Sequence, residues 1–245
     1  MFAKKQRIET RPVHVDSSLI KQNLAHIQER IDVAARKSGR TGTDVRLVVV
    51  TKNRTPEAIS AAIAAGATDI GENRVQELLV KTPHIIGQAR RHFIGTLQRN
   101  KVKPIIGSID LIQSVDRLEL AGEIDRRAAE AGLIQSSLVQ CNVEGETTKQ
   151  GIDPNDVEKV VAEIDKLGHI KIEGLMTIAP LARDEESARR TFAKLKQLYD
   201  TLTGRWHFKW LSMGMTEDFE VAVEEGANMV RIGRAVFTPV LKEAK

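Results

Sequence analysis

Residues Arg46–Gly71 read RLVVVTKNRTPEAISAAIAAGATDIG. Leu47-Val-Val-Val50 is an unbroken apolar run, rich in β-branched residues, and it ends on Thr51-Lys52. Such a run predicts a strand covered on both faces. Thr55-Pro56 then supplies a helix with its cap and its first residue. Gly66 stands where a left-handed stop is needed, and Asp69-Ile-Gly71 opens a second strand. A strand, a crossover helix and a second strand in this order favour a parallel sheet.

The unit recurs along the chain. Eight strands are expected, at about Leu47–Thr51, Asp69–Gly71, His92–Gly95, Leu111–Val115, Ser137–Val143, Lys171–Ile178, Lys209–Met213 and Met229–Ile232. Asp153-Pro154 begins a helix as Thr55-Pro56 does. Ala188, Phe192, Leu195, Tyr199 and Leu202 form an apolar stripe on a long helix. Gly66, Gly132, Gly168, Gly204 and Gly226 are read as helix stops. Ahead of the first strand, Ile20, Leu24, Ile27, Ile31 and Ala34 share one face of a helix over Ser17–Ser38, with Asp16 as cap and Gly39 as stop. The expected fold class is α/β: a single (β/α)8 TIM-type barrel with an extra N-terminal helix, spanning residues 17–245 after a basic tail, residues 1–16. An open doubly wound sheet is the alternative, but no GxGxxG follows the first strand.

Composition bounds the function without naming it. The 245 residues are enough to bury a large core and fit one barrel. Aromatics make up 4%, which argues against stacked platforms for nucleic acid. Net charge is +4, with both signs interleaved apart from a basic cluster in Met1–Arg11. No secretory signal and no apolar run of membrane-spanning length is present, so a cytoplasmic protein is expected, without membrane or nucleic-acid partners. One cysteine, Cys141, excludes an internal disulfide and a multi-cysteine metal site. It reads as a core residue, and the histidines show no metal spacing. Trp206 and Trp210 read as core or interface residues at the barrel's far rim. The polar Glu144–Gly151 loop, with Lys149, reads as a surface loop.

Barrel chemistry sits at the carboxyl ends of the strands. Lys52 ends the first strand. In a partly dry pocket its amine would be poised to form a Schiff base with a carbonyl, although a rim lysine serving only a salt bridge fits the position as well. Ser212-Met213-Gly214-Met215 and Arg231-Ile232-Gly233-Arg234 end strands seven and eight. Barrels often hold phosphate there on loop amides and a helix N-terminus, which is expected near Thr216. The glycines could equally serve turns alone. A lysine and a phosphate cup together suggest a phosphorylated aldehyde, and pyridoxal 5′-phosphate fits. Arg231 is the available partner for its ring nitrogen. Because an arginine does not give up its proton, such a ring is a weaker electron sink than one paired with aspartate.

At this point the residues match a family pattern. The blocks are Val48-Val-Val-Thr-Lys52 with Pro56-Glu-Ala-Ile59, Gly71-Glu-Asn73, His92-Phe-Ile-Gly95, Ser114-Val-Asp-Arg117, Gly174-Leu-Met-Thr-Ile-Ala-Pro180, Leu211-Ser-Met-Gly-Met215 with Asp218-Phe-Glu220, and Val230-Arg-Ile-Gly233. In this order the chain resembles the YggS/PROSC family of pyridoxal phosphate homeostasis proteins, from about Leu47 to Phe237. The resemblance implies a fold type III barrel like the N-terminal half of alanine racemase. It implies that Lys52 carries pyridoxal 5′-phosphate as an internal aldimine, that Asn73 lies near the cofactor and that Arg231 faces the pyridine nitrogen. Ser212, Gly233 and residue 234 would hold the phosphate, with Gly214 and Ile232 in the same segments and Met176 and Met213 lining the pocket. Arg234 stands where the family often has Thr or Ser.

The function implied is storage of the cofactor for buffering or delivery, with apoenzymes as possible recipients, no established turnover and no metal. A fold type III amino-acid racemase is a second reading. Few residues follow Phe237, so the β-rich domain of such enzymes is not expected, and a monomer is. A Schiff-base aldolase is a third, although its lysine would usually sit on a later strand.

Overall fold

The computed structural model describes residues 15–145, 150–179 and 184–239. The basic cluster of Met1–Arg11, Lys149 of the polar loop and Pro180 lie outside them.

Eight parallel strands close into a barrel in sequence order. They are β1 (Arg46–Val50), β2 (Asp69–Glu72), β3 (Arg90–Phe93), β4 (Leu111–Val115), β5 (Gln135–Gln140), β6 (Ile170–Met176), β7 (Trp210–Ser212) and β8 (Met229–Ile232). β8 returns beside β1, so that Val48 faces Asp69 of β2 on one side and Arg231 of β8 on the other.

Around the barrel run α1 (Ser17–Lys37), α2 (Pro56–Ala64), α3 (Val75–Lys81), α4 (Leu118–Glu130), α5 (Pro154–Ile164), α6 (Glu185–Trp206), α7 (Phe219–Glu224) and α8 (Arg234–Phe237). Their starts follow local rules. Asp16 accepts from the amides of Ser18 and Leu19, Thr55 from Ala58, and Asp153 from Asn155. The expected face of α1 is buried, at Ile20, Leu24, Ile27, Ile31 and Ala34. Each of its larger side chains contributes about 1.5–3 kcal/mol. The face packs against α7 and α8, and the Asn23 amide ties α1 to the carbonyls of Val236 (3.1 Å) and Thr238 (2.9 Å).

Two expected helix stops are not used as such. Gly204 lies inside α6, which continues to Trp206 and ends with His207 in the left-handed region at φ 51. The stacking of Trp206 on Phe208 (6.4 Å) accompanies this longer helix. Gly168 does not take a positive φ, whereas Gly66, Gly132 and Gly226 do.

The strands are also less apolar than expected. Inside the barrel, Val48, Leu111, Leu138, Met176 and Met229 form a cluster with Trp210 packed against it. Buried polar side chains stand on the same strands: Asp69, His92, Gln113, Ser212 and Arg231. Around the strand starts, the Arg46 guanidinium lies 4.5 Å over the Trp210 ring, and Asp69 pairs with Arg46 (3.2 Å) and Arg90 (3.1 Å). Among the described residues no helix is long and apolar enough to cross a membrane.

Candidate functional site

The ends of the strands open into a cavity of about 1220 Å³. Val50 and Lys52 reach it from β1, Asn73 from β2, Ile94 from β3, Ile178 from β6, Met215 from β7, and Arg231 and Gly233 from β8. It extends between α1 and α7, past Arg30, Glu220 and Val221.

Lys52 stands on this wall and is exposed, as a lysine reaching from the barrel rim is. Its backbone is held firmly. Thr51 is buried and its hydroxyl donates to the Gly71 carbonyl (3.1 Å). Asn53, at φ 58, donates its amide to Glu77 (2.9 Å). Lys81 Nζ donates to the Thr51 carbonyl (3.0 Å), Glu72 (2.8 Å) and Glu77 (2.5 Å). α3 thus grips the loop on both sides of Lys52.

Asn73 is half-buried on the same wall, and its Oδ1 is buried without a hydrogen-bond partner. A buried acceptor of this kind asks for a donor, such as a hydroxyl on a bound molecule.

Arg231 is 4% exposed yet lines the cavity. Nη1 donates to Ser212 Oγ (2.6 Å) and Nη2 to the Thr177 carbonyl (2.8 Å). Burial pulls its pKa down to about 10, which leaves it a cation at neutral pH. Asp218 supplies opposing charge. Its own carboxyl is pushed upward by burial, against the Met215 amide it accepts (2.6 Å) and the charge of Arg231.

Gly233 and Arg234 complete the shared wall. Gly233 precedes α8 and accepts the Val236 amide (3.0 Å), while the amides of Arg234 and Ala235 start the helix with no helical carbonyl behind them. A Cβ on Gly233 would stand 3.1 Å from that of Val50, so β1 crowds this backbone. The Arg234 guanidinium is exposed and pairs with Glu217 at 2.7 Å, which leaves its backbone as the contribution to the cup.

The other five expected residues lie behind the wall. Met176 is in the barrel interior, and the Ser212 hydroxyl is fully buried between Arg231 and Gln113. Met213 and Ile232 belong to the core cluster that includes residues of the surrounding helices; alternation along β8 turns Ile232 away from Arg231. Gly214 takes φ 91, and a Cβ there would meet that of Ala222 at 2.6 Å, so it serves close packing under α7. The expected helix start near Thr216 falls at Phe219. Asp218, Thr177 and Gln113 are additions that sequence reading missed. Thr177 and Asp218 stood in the family blocks without a site role, and Gln113 left a trace as a polar residue inside the Leu111–Val115 strand. Among the described residues no group of three His, Cys, Asp or Glu side chains is placed to hold a metal ion.

Comparisons with known proteins place the chain in a family. The family model for the N-terminal domain of alanine racemase matches residues 22–239. A pyridoxal phosphate homeostasis protein of Aquifex aeolicus is 41% identical, over 88% of this chain and 96% of its own length. The structure of PipY from Synechococcus elongatus with PLP bound superposes with a TM-score of 0.79 at 32% identity, covering 89% of this chain and all of that one. An alanine racemase of Clostridium difficile, 16% identical, shares the barrel fold with a TM-score of 0.75, over 92% of this chain and 61% of its own. The chain therefore belongs to the alanine racemase N-terminal domain family and, within it, to the pyridoxal phosphate homeostasis proteins.

Proposed function

We propose that the protein binds pyridoxal 5′-phosphate at the barrel mouth and stores it for cellular cofactor homeostasis. One observation carries the reading: the Lys52 amine, the unpartnered Asn73 Oδ1 and the buried Arg231 cation share one cavity wall. These groups suit the cofactor's donors and acceptors. Lys52 offers the amine that its aldehyde takes up. Asn73 accepts from a ring hydroxyl, Arg231 donates to the ring nitrogen, and the backbone at Gly233 and Arg234 receives the phosphate. When bound, the cofactor supplies a reactive aldehyde and a conjugated ring. Arg231 keeps its own proton at neutral pH, so it holds the ring nitrogen without charging it. The exposure of Lys52 leaves its amine within reach of incoming and departing cofactor. In this reading the protein acts as a monomer in the cytoplasm and passes its cofactor to apoenzymes. The buried, unpaired Cys141 is compatible with a reducing compartment.

Purified protein mixed with pyridoxal 5′-phosphate and freed of excess should show visible absorbance. Borohydride should then fix the cofactor to Lys52 in a peptide map, and Lys52→Ala should lose at least about nine-tenths of the absorbance, because Lys37, the other described lysine lining the cavity, is paired with Glu224 (2.6 Å). Wild-type protein that stays colourless, or label spread over surface lysines, would overturn the reading.

A further inference from the structure

A line of buried side chains crosses the barrel from the start of β2 to the cavity. His92 Nε2 lies 2.9 Å from Asp69 Oδ1, and Gln113 Nε2 lies 2.9 Å from His92 Nδ1. Ser212 Oγ donates to Gln113 Oε1 at 2.7 Å, and Arg231 Nη1 donates to Ser212 Oγ at 2.6 Å. All five side chains are buried, from strands β2, β3, β4, β7 and β8.

The chemistry of the two ends sets the direction of every bond. Asp69 is ionised, because the guanidinium groups of Arg46 (3.2 Å) and Arg90 (3.1 Å) flank its buried carboxyl. As a carboxylate it only accepts, so His92 Nε2 carries the proton. Gln113 presents its amide nitrogen to His92 Nδ1, and an amide nitrogen only donates, so Nδ1 is the acceptor. This turns the Gln113 carbonyl toward Ser212. From the other end, a guanidinium only donates, so Ser212 Oγ accepts from Arg231 and is free to pass its own hydrogen to Gln113. The two derivations meet with the same orientation of Gln113.

We infer that Asp69, His92, Gln113 and Ser212 form a one-way hydrogen-bond chain that positions Arg231 at the cavity. Each link donates toward Asp69, so the bonds polarise one another in the same sense. With Nη1 and Nη2 anchored to Ser212 and the Thr177 carbonyl, the guanidinium plane is fixed and its remaining N–H groups are held for the cavity. The Gln113 to Met229 Sδ contact (3.1 Å) gives the amide a second fixed partner. Gln113 and His92 touch nothing in the cavity and are positioning residues. For the ligand that Arg231 meets, the inference rests on the cofactor reading above.

The test has a cofactor-free arm and a cofactor arm. In the unloaded protein, ¹⁵N-edited NMR of the histidine rings should show His92 with Nε2 protonated and Nδ1 bare near neutral pH. In Gln113→Glu, a carboxylate facing Nδ1 should draw a second proton onto the ring. A doubly protonated His92 in the wild type would mean that Gln113 is reversed, and would overturn the chain. In the cofactor arm, Gln113→Leu leaves Ser212 without its acceptor. It should release bound pyridoxal 5′-phosphate roughly tenfold faster and shift its visible band, since a bond in a chain ending on a charge is worth about that factor. Gln113→Glu restores an acceptor for Ser212 and should return the release rate to within about twofold. Folded Gln113→Leu protein with unchanged release and spectrum would overturn the positioning role. If wild-type protein takes up no cofactor, the cofactor reading fails while the ring assignment still decides the chain.

Discussion

Gly95 shows how closely the backbone is packed beside the cavity. A Cβ on it would stand 2.1 Å from the carbonyl oxygen of Asn73, a fixed backbone atom. Gly95→Ala must therefore push the end of β2 aside. It should cost about 1–3 kcal/mol in urea unfolding, as overpacking does, and weaken cofactor retention through the displaced Asn73; a variant as stable as wild type would contradict the packing. At this scale the sequence was only partly legible. Lys52 stood out because it ends an apolar strand, and Arg231 because it ends the eighth beside Gly233. Gln113 did not, although its polarity interrupts Leu111–Val115. Its meaning depends on Ser212, 99 positions away, and spacing along one chain does not show which inward-facing residues of different strands meet.

Among the elements, α3 has the least expected part. Its last residue, Lys81, is 12% exposed and serves Glu72, Glu77 and the Thr51 carbonyl together. Burial raises the Glu77 carboxyl, but the hydrogen bonds of Lys81 and Asn53 win and hold it below its usual range. Lys81→Met would leave Glu72, at 4% exposure, as an uncompensated buried charge. It should cost about 3 kcal/mol and loosen the loop that carries Lys52. Thermal unfolding would show the first effect and slower borohydride-trapped labelling of Lys52 the second; an unchanged midpoint would argue against the anchor. The elements themselves were easier to foresee. Asp16, Thr55-Pro56 and Asp153-Pro154 act through contacts within three residues, so each marks its helix start in the sequence. The end of α6 was misplaced at Gly204 because His207, not a glycine, takes the left-handed stop, at φ 51. Alternation along β8 likewise sorts Arg231 from Ile232, a distinction that a list of strand ends does not make.

At the scale of the whole molecule, the buried charge centre around Asp69 sets a pH limit. Asp69 falls from its ordinary 3.8 to about 2 on folding. A depressed carboxyl stabilises the fold fully above its unfolded pKa, and this contribution is lost as pH falls through the folded value. Urea midpoints should therefore hold above about pH 4 and decline toward pH 2. Asp69→Asn should flatten that decline and lower the plateau, because Arg46 and Arg90 lose their shared counter-charge. An identical pH profile in the variant would remove Asp69 as the cause. The Asp69 pairs and the Arg46–Trp210 stack also close the end of the barrel away from the cavity. Among the described residues, Lys52 is consequently approached from the cavity end. On the storage-and-delivery reading proposed above, a supplier and a recipient of the cofactor would meet at the same rim and would have to dock in turn.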